Sequence, residues 1–384
     1  MDKLVYLVYP LTALLLLWGA KWSGRKAWNG EFLSLEQCKH WQGFFAVCIM
    51  LHHASQKTCA PWLNKRWIIP GLEPFVLSGF WFVAFFLVCS GYGLYKSVKA
   101  KPDYLHGFVR RRVLPMVAAY YVTGWIFLAV RLFMGQKISA LHMILYITGV
   151  GHANPNAWYV MVVPLFYLAF YVSFRMFKRE GAALASTTAL VLLWVLIGCA
   201  TDHNDWYICG EWWYNTAAFF PLGLFLAKYE QGFVRAAKRA YLPLLALSIA
   251  AIWGLHAYSQ FAQDYFGYYC EWNPHLHERI FRRLMCVIAQ VGVAGAFVLF
   301  ILLVMMKLRI GNRALRFMGG ITLEFYLIHG LYVELFGFDF MKILPSVYYI
   351  RNVALYVLVI AVLSVPSALA VRWMLQPAHR RHPA

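Results

Sequence analysis

The chain is written as a succession of apolar segments of membrane-crossing length, and no other feature constrains its fold as tightly. Eleven segments come close to the ~20 residues that span a hydrocarbon core. They run roughly over residues 3–20, 40–57, 74–97, 113–134, 157–176, 182–201, 212–229, 241–260, 284–306, 318–337 and 352–375. Of the 384 residues, 62% are hydrophobic and 13% charged, and mean hydropathy is +0.58. Soluble domains carry about 25% charged residues, so a soluble globular enzyme is excluded. A helix satisfies its own backbone in lipid, which makes the expected fold class all-α: a polytopic transmembrane helix bundle. Sixteen Trp and 24 Tyr suit many membrane–water interfaces. The stretch 141–150 is too short to span and fits an interfacial position.

The formal net charge of +19 would suggest nucleic acid in a soluble protein. Here it reads as orientation signal, and no nucleic-acid partner is expected. With residues 21–40 in the cytoplasm, 24 of the 35 Lys and Arg fall on the cytoplasmic side. The loop 202–212 has none and carries Asp202, Asp205 and Glu211. The asymmetry puts the N-terminus outside and the C-terminus in the cytoplasm. The run Leu4 to Ala20 lacks a small-residue cleavage site and reads as a retained span. Eight cysteines show no metal spacing. Cys59, Cys209 and Cys270 fall in outer loops, where two of them could pair.

Chemistry concentrates in three places. In the second segment, Gln42 and His53 stand eleven residues apart, three helical turns, so they share a face. His53 then lies about 16 Å beyond Gln42, near mid-membrane. An ionisable group at that depth is costly and marks a functional candidate; a neutral imidazole there suits a general base. His52 points away and is weaker. In the tenth segment, Gly320-Ile321-Thr322-Leu323-Glu324-Phe325-Tyr326-Leu327-Ile328-His329-Gly330 carries His329 to about the same depth, with Glu324 nearer the cytoplasm. Satisfied histidines also knit bundles together, but two histidines and a carboxylate favour a functional pocket. Third, Arg110-Arg111-Arg112 enters a span from the inside; guanidinium forks match phosphate oxygens, and a basic triplet is also plain topology signal.

Together these segments resemble the acyltransferase family 3 membrane proteins. Gln42-Gly43…His53 fits that family's first-helix frame of a basic residue, a glycine, an apolar run and a histidine eleven residues on. Phe85-Phe86-Leu87-Val88-Cys89-Ser90-Gly91-Tyr92 is similar to its apolar-Ser-Gly-aromatic signature. Arg110 to Arg112 with Pro115, Asn156-Ala157-Trp158-Tyr159, and Gly319 to Gly330 resemble its later motifs in order. The resemblance covers about residues 35–375. Gln42 departs from it, because family members usually carry Arg or Lys there; Lys39 lies three residues earlier.

The resemblance implies a ten-span core, residues 35–376, preceded by an extra span and cytoplasmic linker (1–34) and followed by a tail (377–384). It implies an O-acyltransferase that takes an acetyl or other acyl group from a cytoplasmic coenzyme A thioester, without a metal, to a hydroxyl of a glycan or glycoconjugate. His53 would act as base or carry the acyl group, with Glu324 and His329 orienting it or binding the acceptor. Gln42, Ser90 and Arg110 to Arg112 would face the donor, and Trp158 and Tyr159 would stack on the acceptor. Membrane lipids are the remaining expected partners, and a bacterial cytoplasmic membrane the expected location. The alternatives are a transporter or flippase using His and Glu as a proton relay, or a catalytically silent relative.

Overall fold

A computed structural model describes residues 3–203, 208–267, 275–338 and 348–380. Among them are fourteen α-helices. In chain order these are α1 (Val8–Leu17), α2 (Leu35–Thr58), α3 (Gly79–Ala100), α4 (Leu114–Phe133), α5 (Ala140–Thr148), α6 (Trp158–Met176) and α7 (Glu180–Ala200). There follow α8 (Phe219–Lys228), α9 (Glu230–Arg239), α10 (Tyr241–Phe266), α11 (Leu276–Met305), α12 (Arg313–Gly320), α13 (Thr322–Phe336) and α14 (Val353–Arg380). The strands described are a two-residue antiparallel ribbon, β1 (Lys21–Trp22) against β2 (Leu308–Arg309).

Seven segments are long and apolar enough to cross a bilayer: 79–100, 109–133, 155–176, 180–200, 241–266, 276–305 and 353–375. The other four apolar segments of the sequence are also helical but differ in kind. Lys3–Leu17 and α8 are short. α2 is long but carries Gln37, His40, Gln42, His52, His53 and Lys57. The tenth segment breaks in two at Ile321, giving α12 and α13. Helices on the rim turn large apolar residues outward, among them Leu193, Leu196, Trp253, Leu358 and Val362. Such a surface suits lipid, and would be an aggregation hazard in water.

Two close helix contacts set the interior. Gly91 of α3 meets the backbone of α8 at Phe220 and Leu224, and Gly223 of α8 meets Val88 and Tyr92 of α3. The small-residue stretch after Ser90 thus serves helix approach. In the second contact, a Cβ on Gly43 of α2 would stand 2.7 Å from the Gly319 amide of α12. Gly319 is pressed in turn on the Lys39 backbone. Cys59 is unbridged, its thiol donating to the Ser55 carbonyl at 3.5 Å; Cys270 lies outside the described residues.

Candidate active site

α2 begins at Ser34, whose side chain accepts from the Gln37 amide at 3.3 Å. Gln37 and His40 then bind the Ile310 carbonyl at 2.7 and 3.1 Å, fixing the N-terminal end of α2 to the strap before α12. From there α2 runs beside α12 and α13, and three ties succeed one another along it. Gly43 closes on Gly319. His53 meets His329, Nδ1 to Nε2, at 2.7 Å. Lys57 meets Glu334 in a buried ion pair of 2.7 Å.

The histidine contact has a defined polarity. His329 Nδ1 lies 2.9 Å from the Phe325 carbonyl, which can only accept, so that nitrogen carries a proton. In a neutral ring His329 Nε2 is then the acceptor, and His53 Nδ1 donates to it. The remaining nitrogen of His53, Nε2, keeps its lone pair. The ring planes lie within 10° and their centroids 5.0 Å apart. One ring radius on each side of the contact accounts for that spacing, so the rings sit edge to edge. His329 is wholly buried, whereas His53 is only half-buried.

A cavity of about 180 Å³ lies between α2, α3, α6 and α13, lined by Gln42, Ile49, Phe86, Tyr159, Thr322 and Tyr326 among others. Gln42, Ile49 and His53 fall within about 40° of one another around α2, so the face lining the cavity is the face that bears His53. The Tyr326 ring stands 6.0 Å from His329 and 5.6 Å from Tyr159. Ser90 faces the hydroxyls of Tyr159 and Tyr167, and Tyr167 neighbours Arg112.

The residues expected from the sequence fall as follows. Arg110, Arg111 and Arg112 are exposed in a single π-helical turn, Val109–Val113, of a kind often found at functional sites. Arg111 donates to the Tyr104 carbonyl at 2.8 Å and Arg112 to the Tyr104 hydroxyl at 3.1 Å. Gln42 lines the cavity, while Lys39 is exposed and does not. Glu324 is buried in the first turn of α13, five residues before His329. Trp158 is buried, set edge-on to Tyr159, and Tyr159 faces the cavity it shares with Gln42. His52 turns the other way and binds the Phe75 carbonyl at 2.8 Å.

Tyr159 reaches this depth because the chain before α6 enters the bundle as irregular backbone. Non-helical backbone survives at such depth only when protein satisfies it. The Tyr120 hydroxyl binds the Gly149 and Gly151 carbonyls at 3.1 and 3.2 Å, and Arg131 donates to the Ala153 carbonyl at 3.3 Å. Asn154 donates to the Leu327 carbonyl at 2.7 Å, and Asn156 packs on Gly330. His152 in this stretch is buried, its Nδ1 2.9 Å from the Tyr120 hydroxyl. Sequence reasoning missed Asn154, Tyr326, Lys57 and Glu334. The last two gave a signal, charges within a turn or so of each histidine in apolar runs. Among the described residues, no three His, Cys, Asp or Glu gather to hold a metal ion.

The arrangement is a proton-accepting imidazole, oriented by a second one, on the helix face that also lines a cavity. A family model described as an acyltransferase domain matches residues 39–373. No curated protein and no solved structure matches the chain. The matched span contains both histidines, the cavity and the arginine turn, and the chain therefore belongs to acyltransferase family 3, as an integral-membrane acyltransferase.

Proposed function

We propose that the protein moves an acyl group, acetyl in the simplest case, from a coenzyme A thioester to a hydroxyl of a glycan or glycoconjugate. The observation that carries this reading is the polarised His53–His329 contact beside the cavity. His53 Nε2 takes the proton of the acceptor hydroxyl as its oxygen attacks the thioester carbonyl carbon. The carbon–sulfur bond then breaks, and the imidazolium returns the proton to the departing sulfur. His329 holds the reacting tautomer. Arg110 to Arg112 face the donor's phosphates, with Ser90 and Gln42 along its arm. Tyr159, with Trp158 behind it, stands where the thioester end meets the acceptor, and Glu324 closes the inner side.

The Lys and Arg asymmetry supports a donor approaching from the cytoplasm, with the N-terminus outside and the C-terminus inside, in a bacterial cytoplasmic membrane. The test is reconstituted protein supplied with labelled acetyl-coenzyme A, together with mass spectrometry of surface glycans from cells with and without the chain. His53→Ala should abolish label transfer and the acetyl mass increment while the protein still inserts. Transfer at the normal rate in that variant would defeat the reading.

A further inference from the structure

A second and larger cavity, about 440 Å³, opens beside the loop before α2, apart from the histidine pair. Trp28, Lys96, Lys228, Glu230 and Lys238 contribute to its wall, from the loop, the end of α3, the end of α8 and α9. The site is built rather than incidental. The loop folds around Lys307, whose ammonium donates to the carbonyls of Gly24, Arg25 and Ala27 at 3.1, 3.0 and 2.6 Å. Lys307 is only 5% exposed and sits 3.8 Å over the Trp28 ring. Tyr241 packs edge-on to the same indole at 5.1 Å, so Trp28 is held on two sides. Lys238 lies 5.7 Å from that ring, and Lys96 pairs with Glu230 at 2.5 Å.

Lys96 and Lys228 are paired with Glu230 and Glu180, and Lys238 adds a further positive charge beside a fixed aromatic plane. Phosphate groups answer the ammoniums, and a planar base or an apolar stem answers the indole. We infer that this cavity binds the phosphate-bearing end of a ligand. Two sources share that chemistry, a nucleotide and an anionic lipid headgroup. The nucleotide of the acyl donor fits the geometry better, its phosphates then divided between this cavity and Arg110 to Arg112. Lys96 lies ten residues beyond Phe86, a wall residue of the smaller cavity, which is about 15 Å along α3. A ligand anchored at Lys96 can send an arm along that helix past Ser90 toward His53. That identification rests on the function proposed above; the phosphate site itself does not.

The experiment measures binding of adenosine bisphosphate to the full-length protein in detergent by calorimetry. Lys238→Glu should weaken it tenfold or more, with Lys238→Gln intermediate, while Lys137→Glu on a distant loop binds as wild type. Because no acyl transfer is involved, the result stands whether or not the protein turns over a thioester, and His53→Ala should bind normally. In parallel, native mass spectrometry from phosphatidylglycerol nanodiscs reads lipid retention. Lost retention in Lys238→Glu with no nucleotide binding in any variant would keep the phosphate site and assign it to lipid. If Lys238→Glu changes neither nucleotide affinity nor lipid retention, the inference is overturned.

Discussion

His53 donates to His329, and the Phe325 carbonyl decides that direction. The carbonyl lies four residues before His329 on the same helix, 2.9 Å from its Nδ1, while the inter-histidine contact spans 276 residues of sequence at 2.7 Å. A backbone group of α13 thereby selects which nitrogen of a side chain on α2 keeps its lone pair. Deleting a general base typically costs 10²- to 10⁴-fold, and His53→Ala should lose at least about 10²-fold in single-turnover acyl transfer. A loss under about tenfold would remove His53 from the proton path.

His329 touches His53 and not the cavity, so in the proposed mechanism its removal should have a different signature. In His329→Phe the His53 ring is free to flip and to take either tautomer. The expected outcome is a lower kcat with KM for the donor nearly unchanged, and a shifted pH profile. His329→Gln, whose side-chain oxygen can accept from His53 Nδ1, should recover part of the rate. Equal damage in both variants would mean that the pair only packs.

The Lys57–Glu334 pair closes the seam one turn beyond the histidines. Removing one partner of a buried ion pair leaves the other charge stranded, at about 3–5 kcal/mol. Lys57→Met and Glu334→Leu should each lower the detergent melting midpoint, and the double variant should recover most of it. Additive losses in the double variant would contradict a coupled pair.

Gly91 and Gly223 interlock α3 and α8 through reciprocal backbone contacts. A Cβ at Gly91 would fall on the Phe220 carbonyl, which cannot move without moving α8. Gly91→Ala should destabilise by about 1–3 kcal/mol or more, as overpacking does. Gly93, two residues on, meets open space, and Gly93→Ala should be near neutral. Chemical denaturation of both variants checks the contrast.

Much of this was legible in the chain because lipid enforces simple rules. Apolar runs gave helices at all eleven expected places, and the eleven-residue step from Gln42 to His53 placed both on the face that lines the cavity. Three things were less legible. The break at Ile321 is hidden because Gly319-Gly320 also reads as ordinary small-residue packing. Only the second half of the 212–229 segment forms an α-helix, the short α8, since Pro221 and the preceding aromatics start it late. The descent of Asn154 to Tyr159 into the bundle depends on acceptors contributed by Leu327 and donors from Tyr120 and Arg131, which no local pattern announces.

The interruption between α12 and α13 has an electrostatic consequence. A helix that starts inside the bundle brings its positive dipole end there, equivalent to roughly half an elementary charge. Thr322 and Leu323, the first two residues of α13, line the same cavity as Gln42. The amide end of α13 thus supplies positive potential to the cavity beside the neutral Gln42, with no cationic side chain needed there.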